Sequence, residues 1–160
     1  MKRDSKLSLA LHILGHMGLD PERMSRSEDL ARHHATHAVV VRRVLGNLRD
    51  AGLVTSAKGH AGGWSLAQPA AAITIADVWR ALGERLDPAP GLGPENPATC
   101  AIERALHGTW DSAITEAETA LLGRLEKVSI ADLSGSLTAD PHLPCTRMQE
   151  AGSVARDPVV

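Results

Sequence analysis

Residues 36–67 read THAVVVRRVLGNLRDAGLVTSAKGHAGGWSLA, and this stretch decides the fold. Thr36 is a favourable helix N-cap and Gly52 a favourable helix stop, so the pattern predicts a helix over residues 37–51. Two short apolar runs, 53–57 and 64–67, then flank a glycine-rich tip and are expected to be strands. A helix followed at once by a glycine-tipped hairpin is typical of a winged helix, a mainly α fold with a small β-hairpin wing.

The residues before this stretch supply the partner helices of the motif. Apolar residues at helical spacing predict a first helix over 5–17, and SEDLARHHA, with a serine cap at Ser25 or Ser27, predicts a short second one. A short helix joined by a tight turn to a longer helix is the helix-turn-helix spacing. In that motif the later helix enters a DNA groove, and here the hairpin is expected to lie against the flanking phosphates.

The third helix is predicted to have a buried face and a reading face. The buried stripe is Val40, Val41, Val44, Leu45, Leu48 and Ala51. On the opposite face, Arg42 and Arg43 can bind guanine edges or phosphates, and Val39 can touch a thymine methyl. Further contacts to the DNA backbone or minor groove are expected from Thr36, His37, Lys58 and His60. Gly46 is expected to mark the close approach of another backbone.

Charge is distributed unevenly along the chain. Residues 1–60 carry 10 Lys/Arg and 6 Asp/Glu, whereas the rest of the chain carries 7 and 13, which sums to a net charge of −2. A basic first part fits an anion-binding module. The chain has three Trp and neither Phe nor Tyr, which disfavours single-strand binding on stacked aromatics. Because no nucleophile with a base and no carboxylate pair stands out, an enzyme is not predicted.

The chain shows neither a signal peptide nor an apolar run long enough to span a bilayer, so we expect a soluble, cytoplasmic protein. His12 and His16 lie one helical turn apart, but no third ligand is nearby in sequence. Partly buried, hydrogen-bonded histidines are therefore expected, and no metal site is predicted, with His12 left as a candidate ligand.

The second half is predicted to hold a dimerisation segment. IADVWRALG, ended by Gly83, closes a DNA-binding domain over residues 1–83, and a Pro/Gly-rich loop follows over 84–99. Cys100 is expected to start a short helix, and a long amphipathic helix over 109–128 and a last turn at 129–133 complete dimerisation helices over 100–134. A second copy of the chain is the simplest partner for the apolar stripe of this long helix, and folding back on its own domain is the alternative. Residues 135–160, including Cys145, are expected to be a disordered tail.

Four segments carry a resemblance to a known family: LSLALHIL, VVVRRVLGNLRDAGLVTS, KGHAGGWSLA and AITIADVWRALG. In this order, over residues 2–133, they resemble the Rrf2-type winged helix-turn-helix transcriptional regulators of bacteria. The resemblance implies a homodimer that binds double-stranded DNA at a pseudo-palindromic operator, usually as a repressor. Residues matching the reading helix and wing are those predicted above to touch DNA.

Some members of that family sense iron, nitric oxide or redox state through an iron–sulfur cluster held by three cysteines in the loop after the DNA-binding domain. This sequence has only Cys100 there, so no cofactor is predicted. A sensor with non-cysteine ligands stays open as an alternative, because His12 resembles the first-helix histidine of one family variant, although Ser8 replaces its glutamate. Cys100 is the redox-sensing candidate, with a buried structural role as the alternative. Use of the winged helix for protein contacts is a third possibility, against which Arg42, Arg43 and Lys58 argue.

Overall fold

The computed structural model describes residues 6–59, 62–86 and 97–139 of the chain, with side chains up to residue 135. The elements in chain order are α1 (Lys6–Leu19), α2 (Ser27–His33), α3 (Ala38–Asp50), β1 (Val54–Ala57), β2 (Gly63–Leu66), α4 (Ile75–Ala81), α5 (Ala101–Leu125) and α6 (Ile130–Ala139). A 3-10 turn, Ala70–Ala72, precedes α4. The described part of the chain is thus mainly helical with one antiparallel hairpin, which confirms the predicted fold class.

One hydrophobic core joins the helix-turn-helix to the wing. Its largest fully buried side chains are Ile13 and Leu14 of α1, Leu30 of α2, Val41, Val44, Leu45 and Leu48 of α3, Val54 of β1, Ile73, Val78 of α4 and Ile130 of α6. Burying an aliphatic side chain of this size stabilises a protein by about 1.5–3 kcal/mol. Since every one of these elements contributes, α3 and the hairpin are held as parts of one unit.

The start of α3 differs from the prediction. Its N-cap is His37 and no side chain caps it. The expected Thr36 cap was wrong because Thr36 belongs to the turn after α2, where its backbone N–H donates to the Ala31 carbonyl at 2.9 Å. Ala35, in the same turn, has a φ of 49°. The predicted stop is confirmed, since Gly52 follows the helix with a φ of 75°.

The buried face of α3 is narrower than predicted. Val40 is 39% exposed and Ala51 is exposed as well, so neither belongs to the core. Val40 lies in the first turn, where Val41 is the fully buried residue, and Ala51 is the C-cap beyond the last helical residue. Gly46 marks no close contact, because a Cβ built on it meets nothing within 4 Å.

The wing is fastened to the start of α2. β1 pairs with β2 so that Val54 lies opposite Leu66, and the outer edge of β2 exchanges two backbone hydrogen bonds between Trp64 and Ser25. The indole Nε1–H of Trp64 donates to Ser27 Oγ at 3.0 Å. The predicted serine cap of α2 was therefore wrong: Arg26 is the N-cap, with no side-chain cap bond, and both serines bind the wing instead.

The C-terminal helices also differ from the prediction. A single helix, α5, runs for 25 residues from Ala101, so the expected separate short helix does not exist. Beyond α5, α6 is not one turn but 10 residues long. Its Ile130 is fully buried in the core and Ser134 Oγ donates to the Gly15 carbonyl at 2.9 Å. Within this chain α6 therefore packs on α1, whereas no residue of α5 is buried.

Candidate nucleic-acid interface

The outer face of α3 presents the side chains that the sequence predicted for DNA reading. Val39 is 61% exposed, and Arg42 and Arg43 are both exposed. Arg43 forms no ion pair with any other described residue. An exposed valine beside two cations is an uncovered surface that suits base edges and phosphates.

Arg42 has a partner that the sequence analysis missed. Its guanidinium forms an ion pair with Glu28, in the first turn of α2. The pKa of Glu28 lies below its usual value because its own backbone amide and then Arg42 hydrogen-bond the carboxylate. No local sequence signal marks this pair, because residues 14 positions apart meet only through the angle between α2 and α3.

The wing presents a cation near a tightly folded tip. Lys58 is exposed directly after β1, and Gly59 follows with a φ of 113° that suits glycine. A Cβ on Gly62 would lie 2.4 Å from the Ala57 carbonyl oxygen, so only glycine fits there. His60, also predicted to contact DNA, lies outside the described residues.

The remaining predicted contacts lie at the N-terminal end of α3. His37 is exposed as the N-cap, whereas Thr36 is half-buried in the preceding turn. The structure therefore brings Thr36, His37 and Val39 together at one end of the helix, with the two arginines one turn further along.

An open cleft of about 400 Å³ separates the wing from the helix-turn-helix. It is lined by Arg26, Ser27, Glu28, Arg42, Gly59, Gly62, Gly63 and Trp64. Glycines on one wall let a ligand approach the backbone closely, and the opposite wall carries two arginines against one carboxylate. The cleft therefore offers cationic side chains and accessible backbone, a combination that suits an anion.

Cys100 lies away from this interface, as the N-cap of α5. It is exposed, and its Sγ accepts a hydrogen bond from the Glu103 amide at 3.5 Å. The Glu103 carboxylate accepts in return from the amides of Cys100 and Thr99. The thiol is thus not buried in this chain, and it begins the long helix rather than a short one. Cys145 lies outside the described residues.

Comparison with known proteins places these features in a family. The sequence model described as "Rrf2: Iron-dependent Transcriptional regulator" matches residues 3–136. YwnA of Bacillus subtilis, named as an HTH-type transcriptional regulator, is 28% identical over 134 residues, which cover 84% of this chain and 98% of YwnA.

Solved structures share the fold. CymR, titled the global cysteine regulator of B. subtilis, is 24% identical with a TM-score of 0.57, over 85% of this chain and 98% of CymR. IscR of T. potens is 17% identical with a TM-score of 0.60, over 86% of this chain and 88% of IscR. At these identities the likeness establishes the winged-helix fold alone.

The family description names iron, but the described residues do not provide the ligands of an iron–sulfur cluster. Cys100 is the one cysteine of that part of the chain, and no three His, Cys, Asp or Glu side chains there converge on one point. An iron–sulfur cluster is held mainly by cysteine thiolates, so the described residues do not fit one.

The helices of the described ranges include none long and apolar enough to cross a membrane. With its family match over most of its length, the chain belongs to the Rrf2 family and is a DNA-binding transcriptional regulator, not an enzyme.

Proposed function

We propose that the protein is a homodimer that binds a pseudo-palindromic operator and represses transcription. The observation that carries the proposal is the uncovered outer face of α3, with Val39 and Arg43 exposed beside the wing. Val39, Arg42 and Arg43 read or anchor in the major groove. Thr36, His37, Lys58 and His60 contact the sugar-phosphate backbone or the minor groove, which fixes the register of the helix. Because its target is chromosomal DNA, the regulator acts in the cytoplasm.

The homodimer is supported by the exposure of α5. Ile102 is 81% exposed and Leu106 is 49% exposed, although both are large aliphatic residues on a 25-residue helix. The stripe continues with Trp110, Ile114, Leu121 and Leu125, all only half-buried. A long helix with an uncovered apolar stripe is stabilised by packing against a second copy of itself. A dimer also supplies two reading helices for a two-fold symmetric site.

Sedimentation equilibrium tests the dimer. Replacement of Leu106 by Glu puts a charge on the proposed seam and is expected to shift the mass from dimer to monomer. Glu116→Gln, on the exposed surface of the same helix, is the control and leaves the mass at twice that of the chain. A wild-type protein that sediments as a monomer at micromolar concentration contradicts the proposal.

Redox control through Cys100 is a further part of the proposal. It is supported by the exposure of the thiol and by its position as the N-cap of a long helix. The Cys100 sulfur attacks one oxygen of hydrogen peroxide, the O–O bond breaks, and the sulfur becomes a sulfenic acid. The second oxygen leaves as hydroxide, which takes up the proton given by the thiol and becomes water. Oxidation of Cys100 at the N-cap of α5 would alter how the dimer positions its two α3 helices for DNA binding.

A fluorescence-anisotropy titration tests operator binding and redox control together. The probe is the DNA upstream of the protein's own gene, with a scrambled duplex as control, and the protein is either reduced or treated with peroxide. We expect tight, specific binding by reduced protein that weakens after peroxide, and no peroxide effect in Cys100→Ser. Binding that peroxide leaves unchanged refutes the thiol switch alone, whereas no preference over scrambled DNA in either state favours a winged helix used for protein contacts.

A further inference from the structure

Four histidines that the proposed DNA contacts do not use lie together where α1 meets the end of α2. His12 and His16 come from α1, His33 is the last residue of α2 and His34 is its C-cap. The ring centroids are 4.6 Å apart for His16 and His33, 5.0 Å for His33 and His34, and 5.8 Å for His16 and His34. His12 adds a fourth ring, 5.7 Å from His34.

These separations are close to those of a metal site. Three imidazoles bound at about 2.0–2.1 Å to one tetrahedral ion hold their ring centroids about 5 Å apart and their ligand nitrogens about 3.3–3.4 Å apart. The centroids of His16, His33 and His34 scatter around that value. The Nε2 atoms of His16 and His33 already face each other at 3.1 Å, so they need to separate by only a few tenths of an ångström.

The nitrogens are available to a cation. The Nε2 of His34 is buried and has no hydrogen-bond partner among the described residues. His12 uses its Nδ1–H to donate to the Ser8 carbonyl at 2.8 Å, which leaves its Nε2 as the unprotonated nitrogen. A backbone hydrogen bond of this kind is what usually orients a metal-bound histidine.

Three of these histidines, His16, His33 and His34, have lowered pKa values. Burial, together with repulsion from neighbouring histidines, lowers the pKa of both His16 and His34 to about 4. The pKa of His33 is lowered for the same reasons. Neutral imidazole is the form that binds metals, so protons do not compete for these nitrogens near pH 7.

We propose that His16, His33 and His34 bind one divalent transition-metal ion of the zinc, nickel or copper class, with the fourth position filled by His12 or water. Imidazole is the ligand type that suits these ions. No three of the described side chains converge on one point as they stand, so binding requires the ring of His34 to turn towards the other two. The hydrogen bond between the Nε2 atoms of His16 and His33 contains one proton. When the ion binds both Nε2 atoms, this proton moves to the Nδ1 atom of the histidine that donated it. The bound ion would tie α2 of the helix-turn-helix to α1.

Zinc and cobalt titrations of the protein without a histidine tag test the site. Co²⁺ bound in a tetrahedral nitrogen site absorbs in the visible range. The absorbance is therefore expected to rise with added Co²⁺, to saturate at one ion per chain, and to disappear when Zn²⁺ displaces the Co²⁺. His16→Gln and His33→Gln are each expected to weaken Co²⁺ binding at least about tenfold. His107→Gln, a histidine of α5 outside the cluster, is the matched control and binds as wild type does.

A second measurement uses the wild-type protein and so does not depend on the folding of variants. Zinc is added while the imidazole nitrogens are followed in two-dimensional ¹⁵N–¹H spectra. The ring resonances of His16, His33 and His34 are expected to shift at one equivalent of zinc, with those of His37 and His107 unchanged. Absence of a saturable cobalt band, or shifts confined to His37 and His107, overturns the proposal.

Discussion

Replacing Glu28 by Gln is expected to tighten operator binding. In the free protein the Arg42 guanidinium is ion-paired with the Glu28 carboxylate, so Arg42 must leave Glu28 before it can bind a DNA phosphate. The Glu28 and Arg42 side chains are 56% and 54% exposed, so they form a surface ion pair that competes only weakly with DNA for Arg42. Removing the competitor is therefore expected to strengthen operator binding by at most about fivefold.

Salt dependence gives this prediction a second signature. Glu28 also repels nearby phosphates, and that repulsion is screened beyond about 10 Å at 0.1 M salt. The gain of Glu28→Gln over wild type should therefore be larger at 50 mM than at 300 mM salt in an anisotropy titration of the operator. Glu116→Gln, which removes an exposed carboxylate from α5, serves as the control and should bind as wild type does.

One outcome would refute the reasoning about the ion pair. If Glu28→Gln binds DNA more weakly than wild type while Arg42→Ala also binds weakly, Glu28 positions Arg42 for DNA rather than competing with DNA for it. The two mechanisms thus predict opposite signs for a single substitution.

Three further predictions concern stability and the wing. In metal-free protein, folding keeps His16 and His34 neutral by lowering their pKa from 6.5 to about 4. The free energy of unfolding is then highest above pH 6.5 and falls as pH drops from 6.5 towards 4. Because both rings are partly exposed and each shift includes repulsion from the other histidines, the loss is about 1–2 kcal/mol for the two rings together; a urea-melt stability that is flat over this range contradicts it. Gly46→Ala is expected to raise the stability by about 0.5–1 kcal/mol, because the added Cβ meets nothing within 4 Å, and a lower melting temperature would contradict this. Gly62→Ala is expected to weaken operator binding several-fold by displacing the wing tip, since its Cβ would lie 2.4 Å from a backbone oxygen, and unchanged affinity would show that the tip makes no contact.

Local sequence signals predicted the end of α3, the hairpin and most of the buried face of α3. Gly52 and the glycine-rich tip marked the helix end and the hairpin, and both occur where they were predicted. Helix periodicity identified Val41, Val44 and Leu45 as core residues. These features depend on near neighbours in the chain, which is why they can be seen without a structure.

Tertiary contacts account for what the sequence analysis missed. Serine is a common N-cap residue, but the hydroxyl of Ser27 accepts a hydrogen bond from the indole of Trp64 in the wing. The histidines of α1 lacked a third ligand nearby in sequence, whereas the packing of α2 on α1 brings His33 to within 3.1 Å of His16. The pairing of Glu28 with Arg42 likewise depends on the angle between two helices.

The central claim, that the outer face of α3 reads DNA, is tested most directly by the operator affinity of Arg43→Ala. Arg104→Ala, an exposed arginine of α5 on the side of the helix away from the apolar stripe, is the charge-matched control. We expect a loss of about 1–3 kcal/mol, or about 5- to 150-fold, for Arg43→Ala and no more than about a twofold change for Arg104→Ala. Equal affinities of Arg43→Ala, Arg104→Ala and the wild-type protein for the operator would contradict the central claim.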